Sequence, residues 1–308
     1  MAVYNSAAVC FNSRLGGTHE SRGNGVPPMR SIAILNQKGG VGKTTTAVNL
    51  GAALAAMGQR VLLIDLDPQA HASLHLGLTP GEKRHSMYDV MTGDTSLADV
   101  REQVSENLWV AGSHIDLAAA EVELVGVVGR EVVLRDKLAE DANISAGEFD
   151  YVVVDCPPSL GVLTLNALAA VEEVILPLQP HFLALHGLSK LLQTIELVAK
   201  RLNDRLRLTG VVMCLFESGT RLAAEVGHDV EQFFGRQSSC HSSWADACTF
   251  QTRIRRNIRL AEAPSFGQSI FQYAPESHGA EDYRRLSKEI HASDTAIGEE
   301  RSVFAVKL

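Results

Sequence analysis

The chain has 308 residues, of which 45% are hydrophobic and 21% charged, and its formal net charge is −8. This composition is typical of a globular protein with a sizeable core, built as one large or two smaller domains. The negative charge argues against nucleic-acid binding by the whole surface, although a local basic patch is compatible with it. Five scattered cysteines without a C-x-x-C pair predict a reducing, cytoplasmic location rather than a disulfide framework. No apolar run reaches the roughly 18 residues that span a bilayer.

Residues 1–28 are rich in Gly, Ser, Asn and Pro. Their longest apolar piece, Ala7–Phe11, is shorter than the roughly 7–15-residue core of a secretory signal. We therefore predict a disordered N-terminal extension, with Met29 as a candidate start of translation.

A glycine-rich loop with the sequence Q-K-G-G-V-G-K-T-T, residues 37–45, lies between an apolar run and a helical pattern. Its glycines would let the backbone point N–H groups at an anion, and the following helix would add its positive N-terminal end. Lys43 would then reach terminal phosphates, and the Thr44 hydroxyl would hold Mg²⁺. The general phosphate-loop pattern has Gly where this chain has Gln37, and Lys38 is an additional lysine at the start of the loop.

Strand and helix patterns alternate along the chain after this loop. The first helix carries Leu50 and Leu54 on one face, and Gly58 suits its C-terminal end. Apolar runs of the kind buried in parallel sheets predict strands at 32–35, 61–65, 108–111, 151–155, 174–178 and 209–215. Further helices are predicted near 86–91, 116–140, 185–202, 221–234 and 279–292, with a surface loop at 235–248. The alternation predicts an α/β fold, a doubly wound, mostly parallel sheet with helices on both faces.

Two of the predicted strands end in carboxylates. Asp65 and Asp67 follow one apolar run, and Asp155 closes another. Ligands of doubly wound sheets bind at the carboxyl ends of the strands. A rigid strand ending in Asp can hold Mg²⁺ beside a nucleotide, so Asp155 is a candidate metal residue.

Four segments of the chain together resemble the ParA/MinD family of ATPases, which carry a deviant Walker A loop. They are K-G-G-V-G-K-T-T with its second lysine, D-L-D-P-Q at 65–69, D-C-P-P-S-L-G at 155–161 and R-L-A-E-A-P-S-F-G at 259–267. The last is similar to a block of the chromosome-partitioning ParA/Soj branch. The resemblance covers roughly residues 30–292 and implies one P-loop ATPase domain over 29–293, with a flexible tail over 294–308.

The resemblance implies an ATP-dependent switch, in which two subunits sandwich two ATP molecules with Mg²⁺ and slow hydrolysis separates them. Lys38 would reach the partner subunit's phosphates, Lys43 would hold those of its own subunit, and Asp67 would position the attacking water. The remaining residues that it implies are the nucleotide-binding Gly39, Gly40, Val41, Gly42, Thr44, Thr45 and Asn257, and the metal-binding Thr44 and Asp155. A ParB-like protein is the expected stimulating partner.

The chain departs from the family pattern at two places. Arg255 replaces a proline that lies against the adenine in the family's I-P-R-N segment. The branch's DNA-binding segment D-x-R-T-N-L reads E-S-G-T-R-L here, which moves its arginine two positions, to Arg221. A cluster of arginines at 253, 255, 256 and 259 is an alternative phosphate-contacting patch; the same arginines could instead lie on a solvated face or pair with Glu262 and other acids. The DNA-binding candidates are Arg221, Arg255, Arg256 and Arg259.

Three classes of function remain open on these residues. The first is an ATPase that positions a chromosome, plasmid or other cargo through nonspecific DNA binding, at the nucleoid. The alternative is a MinD-type, membrane-associated positioning ATPase, although the C-terminal residues 302–308 contain one lysine and no amphipathic stripe. The third class is a metabolic or redox relative, such as the nitrogenase iron protein; Cys156 lies in the segment 155–161, but the sequence lacks the second cluster-ligand pattern of an iron–sulfur site. A small-molecule ligase or kinase also belongs to this class, because the fold alone does not set the substrate.

Overall fold

The computed structural model describes residues 29–79, 81, 85–144, 147–181, 184–217, 219, 221–237, 242–245 and 247–305. These residues contain an eight-stranded sheet in the order β3-β4-β2-β5-β1-β6-β7-β8. The strands are β1 (Arg30–Ile34), β2 (Val61–Asp65), β3 (Arg101–Ser105), β4 (Leu108–Ala111), β5 (Tyr151–Asp155), β6 (Glu173–Leu178), β7 (Arg207–Met213) and β8 (Cys248–Thr249). In the described part, every pair of strands except β3–β4 is parallel. The predicted fold class is confirmed.

Helices pack on both faces of this sheet. They are α1 (Lys43–Ala56), α2 (His71–His75), α3 (Met87–Thr92), α4 (Leu97–Val100), α5 (Leu117–Glu123), α6 (Val133–Ile144), α7 (Val162–Ala170), α8 (Ala184–Arg201), α9 (Arg221–Gln237), α10 (Ile258–Glu262), α11 (Ile270–Tyr273) and α12 (His278–Ala305). Successive residues of the central strands enter opposite cores. Leu62 and Val154 pack on the α7–α8 side, whereas Leu63 and Val153 pack on the α1–α12 side. Strands covered on both faces explain the nearly continuous apolar runs of the sequence.

Glycines set both ends of α1. Gly42, directly before the helix, has a φ of 95°, in the left-handed region that favours glycine. Gly58, just after it, has a φ of 84°, and its N–H donates to the Ala55 carbonyl at 2.9 Å. The predicted strand, loop and helix are therefore present, and the loop lies at the carboxyl end of β1.

The helix predicted over 116–140 is interrupted in the structure. Its first part is α5, which continues into a 3₁₀ turn at Leu124–Gly126, and α6 begins only at Val133. Between them Gly129 has a φ of 78°, which an α-helix does not accommodate. The apolar valines of this segment, at 122, 125, 127 and 128, are exposed rather than packed.

Three other elements differ from the prediction. Strand β3, R-E-Q-V-S, has no apolar run because it is an antiparallel edge strand. Strand β8 pairs with β7 at the end of the segment that was predicted as a surface loop, 235–248. Helix α12 continues past the predicted end at 292 to Ala305, and no proline interrupts it.

The predicted extension at 1–28 and the last residues, 306–308, lie outside the described residues. The boundaries proposed for the ATPase domain and the tail stay predictions. Among the helices in the described ranges, none combines the length and apolarity that crossing a membrane requires.

Candidate nucleotide-binding site

The glycine-rich loop forms an open concave backbone between β1 and α1. Gly40 and Gly42 both have positive φ, 73° and 95°. A methyl group built on Gly39 or Gly40 would meet no described atom within 4 Å, so the space in front of the loop is open. No side chain caps the start of α1, which leaves its first N–H groups directed toward this space. The loop thus fits the phosphates of a nucleotide at a helix N-terminus.

The two lysines of the loop have opposite environments. Lys43 is only 7% exposed, and its Nζ donates to the Lys38 carbonyl at 3.3 Å. Burial lowers the Lys43 pKa, and the negative charges of Asp155 and Asp67 oppose that change. Lys38 is exposed, and its backbone N–H donates to Asn36 Oδ1 at 3.0 Å. No ion pair to the Lys38 side chain is found in the described part of the chain.

Two fully buried carboxylates, Asp65 and Asp155, stand side by side at the ends of β2 and β5. Asp65 is well satisfied, because it accepts hydrogen bonds from Ser73 N at 2.8 Å, Ser73 Oγ at 2.7 Å and Asp67 N at 3.2 Å. Burial is the main cause that raises the Asp65 pKa to about 6.

Asp155 accepts no hydrogen bond in good geometry from any described residue, at either oxygen. Burial, and then the neighbouring Asp65, raise its pKa well above the usual range, while the nearby Thr44 hydroxyl and Lys43 lower it. A buried carboxylate without hydrogen-bond partners beside a hydroxyl fits the oxygen ligands and bound waters that Mg²⁺ prefers. Thr44 and Asp155 are therefore suited to hold this metal.

Asp67 lies on the loop after β2 and is 7% exposed. Its Oδ1 accepts the Gln69 N–H at 3.0 Å, and Ala70 then turns into α2 with a φ of 53°. Asp67 comes two residues after the end of β2, which pairs with β5 at Asp155, so it lies at the carboxyl edge of the sheet that also carries the loop. The structure therefore places Lys43, Asp67 and Asp155 at one edge of the sheet, and their roles in ATP hydrolysis stay predictions.

Sequence reasoning missed a set of polar contacts behind the loop. Thr46 Oγ1 lies 3.1 Å from Tyr283 Oη, which joins α1 to α12. Asn49 donates to the Thr45 carbonyl and accepts the Ile270 N–H, both at 2.8 Å. These contacts anchor the first turns of α1. The available signal was that Thr46 and Asn49 are polar residues of α1 to which the phosphate-loop motif assigns no role.

Asn257 is the N-cap of α10, and its Oδ1 accepts the Arg259 N–H at 2.8 Å. Its predicted contact with adenine stays a prediction. Arg255, at the family's proline position, is bound to α12: its Nη2 lies 2.6 Å from Asp282 Oδ1 and 2.7 Å from Glu281 Oε2. The Arg255 N–H also donates to Asp282, at 2.9 Å.

The other arginines proposed for DNA contact are also paired where their side chains are described. Arg256 lies 2.5 Å from Glu217, and Arg259 lies 2.9 Å from Glu262. Arg253 stacks over the Phe216 ring at 4.6 Å, and Arg221 is the first residue of α9. In the isolated chain the arginines thus follow the second interpretation, pairing with acids, and their binding to DNA stays a prediction.

The sequence of the chain is similar to those of known proteins. A family model described as an AAA domain matches residues 29–208. The sporulation initiation inhibitor protein Soj of Bacillus subtilis is 44% identical over 263 residues, which cover 85% of this chain and 98% of Soj. The chromosome partitioning protein ParA of Caulobacter vibrioides (strain NA1000 / CB15N) is 42% identical over 264 residues, covering 85% of this chain and 94% of ParA.

The chain belongs to the ParA/Soj family of partitioning ATPases. Membership makes it an ATPase, with ATP and Mg²⁺ as its cofactors. A solved structure of a protein described as cobyrinic acid a,c-diamide synthase, from Mycobacterium smegmatis with a bound ATP analogue and magnesium, has a TM-score of 0.71 and 36% identity. It covers 85% of this chain and 93% of that one. That structure holds an ATP analogue and magnesium, in line with the cofactors of this chain.

Proposed function

We propose that the chain is a dimerising ATP switch that positions a chromosome, plasmid or other cargo through nonspecific DNA binding. The observation that carries the proposal is the opposite environment of the two loop lysines. Lys43 is buried within its own site, whereas Lys38 is exposed on the same loop. A second subunit that covers the loop would receive Lys38 at its own phosphates.

Within one subunit, each site residue has a distinct task. The backbone N–H groups from Gly39 to Thr45 would bind phosphate oxygens, and the Lys43 ammonium would neutralise the terminal phosphates. Bound Mg²⁺ supplies further neutralisation of the phosphate charge, and Thr44 and Asp155 would hold it. Asp67 would orient the attacking water. Lys38 from the partner would stabilise the charge that spreads in the transition state, as an arginine finger does.

DNA binding is proposed to follow from dimerisation. A single copy carries a net charge of −8, and the described DNA-contact candidates pair with acids in that copy. A dimer presents twice as many arginines to one stretch of DNA backbone as a single copy does. Each phosphate contact adds to the affinity for DNA and to the salt dependence of binding. We therefore expect DNA binding to require ATP. A ParB-like protein is the expected stimulator of ATP hydrolysis.

The test is co-sedimentation of the purified chain with linear DNA and, separately, with anionic liposomes, in ATP, in ADP and without nucleotide. We expect pelleting with DNA in ATP alone, and loss of most of it when salt rises from about 50 to 200 mM. Lys43→Ala is the control, because it removes the phosphate contact and should abolish the response to ATP. Pelleting with liposomes and not with DNA would instead establish the membrane-associated alternative.

A further inference from the structure

Helix α12 reaches the first turn of α1 through a tyrosine hydroxyl. Tyr283 is 1% exposed, and its Oη lies 3.1 Å from Oγ1 of Thr46, which is fully buried. Thr46 belongs to the turn that starts at the glycine-rich loop, because its backbone N–H donates to the Gly42 carbonyl at 2.9 Å. Burial is the main cause that raises the pKa of Tyr283 well above its usual value, so its hydroxyl keeps its proton. Two buried hydroxyls thus connect α12 to the base of the loop.

Cys214, the residue after β7, packs against the same turn. Its Sγ lies 3.7 Å from Thr46 Oγ1. A methyl group built on Gly42 would lie 3.6 Å from Cys214 Cβ, so the cysteine side chain fills the space behind the loop. A thiol is a weak hydrogen-bond partner. Among the described residues, Tyr283 is therefore the main polar support of the Thr46 hydroxyl.

The residue next to Tyr283 holds a second part of the predicted nucleotide site. Asp282 accepts the Arg255 backbone N–H at 2.9 Å and the Arg255 guanidinium at 2.6 Å. Arg255 comes two residues before Asn257, the predicted adenine contact. Adjacent residues of α12 therefore bind the first turn of α1 and the segment that leads to Asn257.

We propose that Tyr283 is a positioning residue for ATP binding. Its hydroxyl holds Thr46, and Thr46 is bonded to the loop at Gly42. The inference rests on the proposed function, in the part that assigns the glycine-rich loop to the phosphates. Backbone N–H groups bind phosphate best when they already point at it, because ordering them during binding costs conformational entropy. Without the Tyr283 hydroxyl the loop should sample more orientations, and the affinity for ATP should fall.

A second tyrosine provides a matched control. Tyr151 is 2% exposed, and its Oη lies 2.8 Å from His291 Nδ1, so it also binds α12. Tyr151 is the first residue of β5, at the amino end of the strand, whereas the loop lies at the carboxyl edge of the sheet. Replacing either tyrosine with phenylalanine removes a hydroxyl that contacts α12 or α1 and keeps the ring. A purely structural role predicts similar effects of the two substitutions on ATP binding, whereas a positioning role predicts an effect of Tyr283→Phe alone.

The test measures the dissociation constant of a fluorescent, non-hydrolysable ATP analogue with Mg²⁺ for the wild-type chain, Tyr283→Phe and Tyr151→Phe. We expect Tyr283→Phe to raise this constant about 5–10-fold, the range of one hydrogen bond, and Tyr151→Phe to stay within about twofold of wild type. Urea unfolding without nucleotide should show similar losses of stability in both variants. Because the dissociation constant is that of the folded protein, lower stability alone does not change it.

Thr46→Val removes the other end of the same bond and nearly keeps the shape of the side chain. We expect it to raise the dissociation constant about as much as Tyr283→Phe does. The double variant Thr46→Val/Tyr283→Phe should bind the analogue no more than about twofold more weakly than either single variant, because all three lack the same bond.

The outcomes separate this inference from the proposed function. An unchanged dissociation constant in Tyr283→Phe overturns the inference and leaves the switch intact. Equal rises in Tyr283→Phe and Tyr151→Phe, or additive effects in the double variant, overturn it as well, because the bond to Thr46 would then not be the cause. Lys43→Ala tests the proposed function itself: if this variant binds the analogue as tightly as wild type, the loop does not hold the phosphates, and the inference falls with it.

Discussion

Arg255 joins the segment before α10 to the long helix α12. Its guanidinium forms a fork with Asp282, whose side chain is 3% exposed, and its backbone N–H binds the same carboxylate. The proline that the family carries here has no N–H and no charge, so it could make none of these bonds. At this position the chain therefore has a structural ion pair where its relatives' pattern has an apolar ring.

Removing this arginine would leave a buried, unpaired charge. We expect Arg255→Ala to lower the free energy of unfolding by about 2–4 kcal/mol. Arg256→Ala is the matched control, since Arg256 and Glu217 are more than half exposed and their pair should contribute less than about 1 kcal/mol. Urea unfolding followed by circular dichroism measures both. Equal stabilities of the two variants would show that the Asp282 fork is not structural.

This result decides how DNA binding should be tested. If a variant that lacks Arg255 bound DNA more weakly, the cause could be either lower stability of the fold or loss of a phosphate contact. Arg256 and Arg259 both pair with exposed acids, so Arg256→Ala/Arg259→Ala is the variant that isolates the contribution of charge.

At the scale of elements, the short helix α2 and the 3₁₀ turn at Ala263–Phe266 are joined by two glycines. Gly77 and Gly267 both have positive φ, 81° and 64°. A Cβ on Gly267 would lie 2.9 Å from the Gly77 Cα. Because α2 begins at His71, shortly after Asp67, we expect this contact to support the loop that carries Asp67. It also explains the glycine at the end of R-L-A-E-A-P-S-F-G.

We expect Gly267→Ala to displace this contact, lowering stability by about 1–3 kcal/mol and ATP turnover several-fold, since the backbone must shift and φ is unfavourable for alanine. Gly227→Ala, on α9, is the matched control because its added methyl group would meet no described atom within 4 Å. It should leave turnover unchanged and stability equal or higher by up to about 1 kcal/mol. Thermal unfolding and phosphate release measure the two quantities. Normal ATP turnover in Gly267→Ala would show that the contact between Gly77 and Gly267 does not support the Asp67 loop.

The elements that could be predicted were those whose hydrophobic pattern follows from their own burial. Strands β2 and β5 are covered on both faces, so their apolar runs were unambiguous. Strand β3 is polar because it lies at an edge, and its pairing with β4 depends on a neighbour rather than on its own residues. The break between α5 and α6 depends on Gly129, whose conformation the helical spacing of the valines concealed.

The candidate site was predictable to a similar extent. Local motifs predicted that Lys43, Asp67 and Asp155 lie at one edge of the sheet, because each motif lies within a few residues of a strand end. The contacts that hold α1, Thr46 with Tyr283 and Asn49 with Ile270, join residues more than 200 positions apart. The ion pair of Arg255 with Asp282 also depends on tertiary structure, because it forms only where α12 packs against the segment before α10.

At the scale of the whole molecule, the nucleotide site is open on one side, and the proposed function assigns that side to a second copy. The loop lies at the carboxyl end of β1, and its Lys38 is exposed there. Two copies related by a two-fold axis would each complete the other's site. The central claim is therefore that Lys38 acts on the partner's nucleotide and not on its own.

A mixing experiment tests this claim most directly. Lys38→Ala and Asp67→Ala should each have little ATP turnover alone. In a mixed dimer, the Lys38→Ala subunit keeps its own Lys43 and Asp67 and receives Lys38 from the Asp67→Ala partner, so one of the two sites is complete. Random pairing of equal amounts should then restore about a quarter of wild-type turnover, because half of the dimers are mixed and each has one working site. If the mixture stays as inactive as its two components while both variants still bind ATP, Lys38 does not act across the dimer.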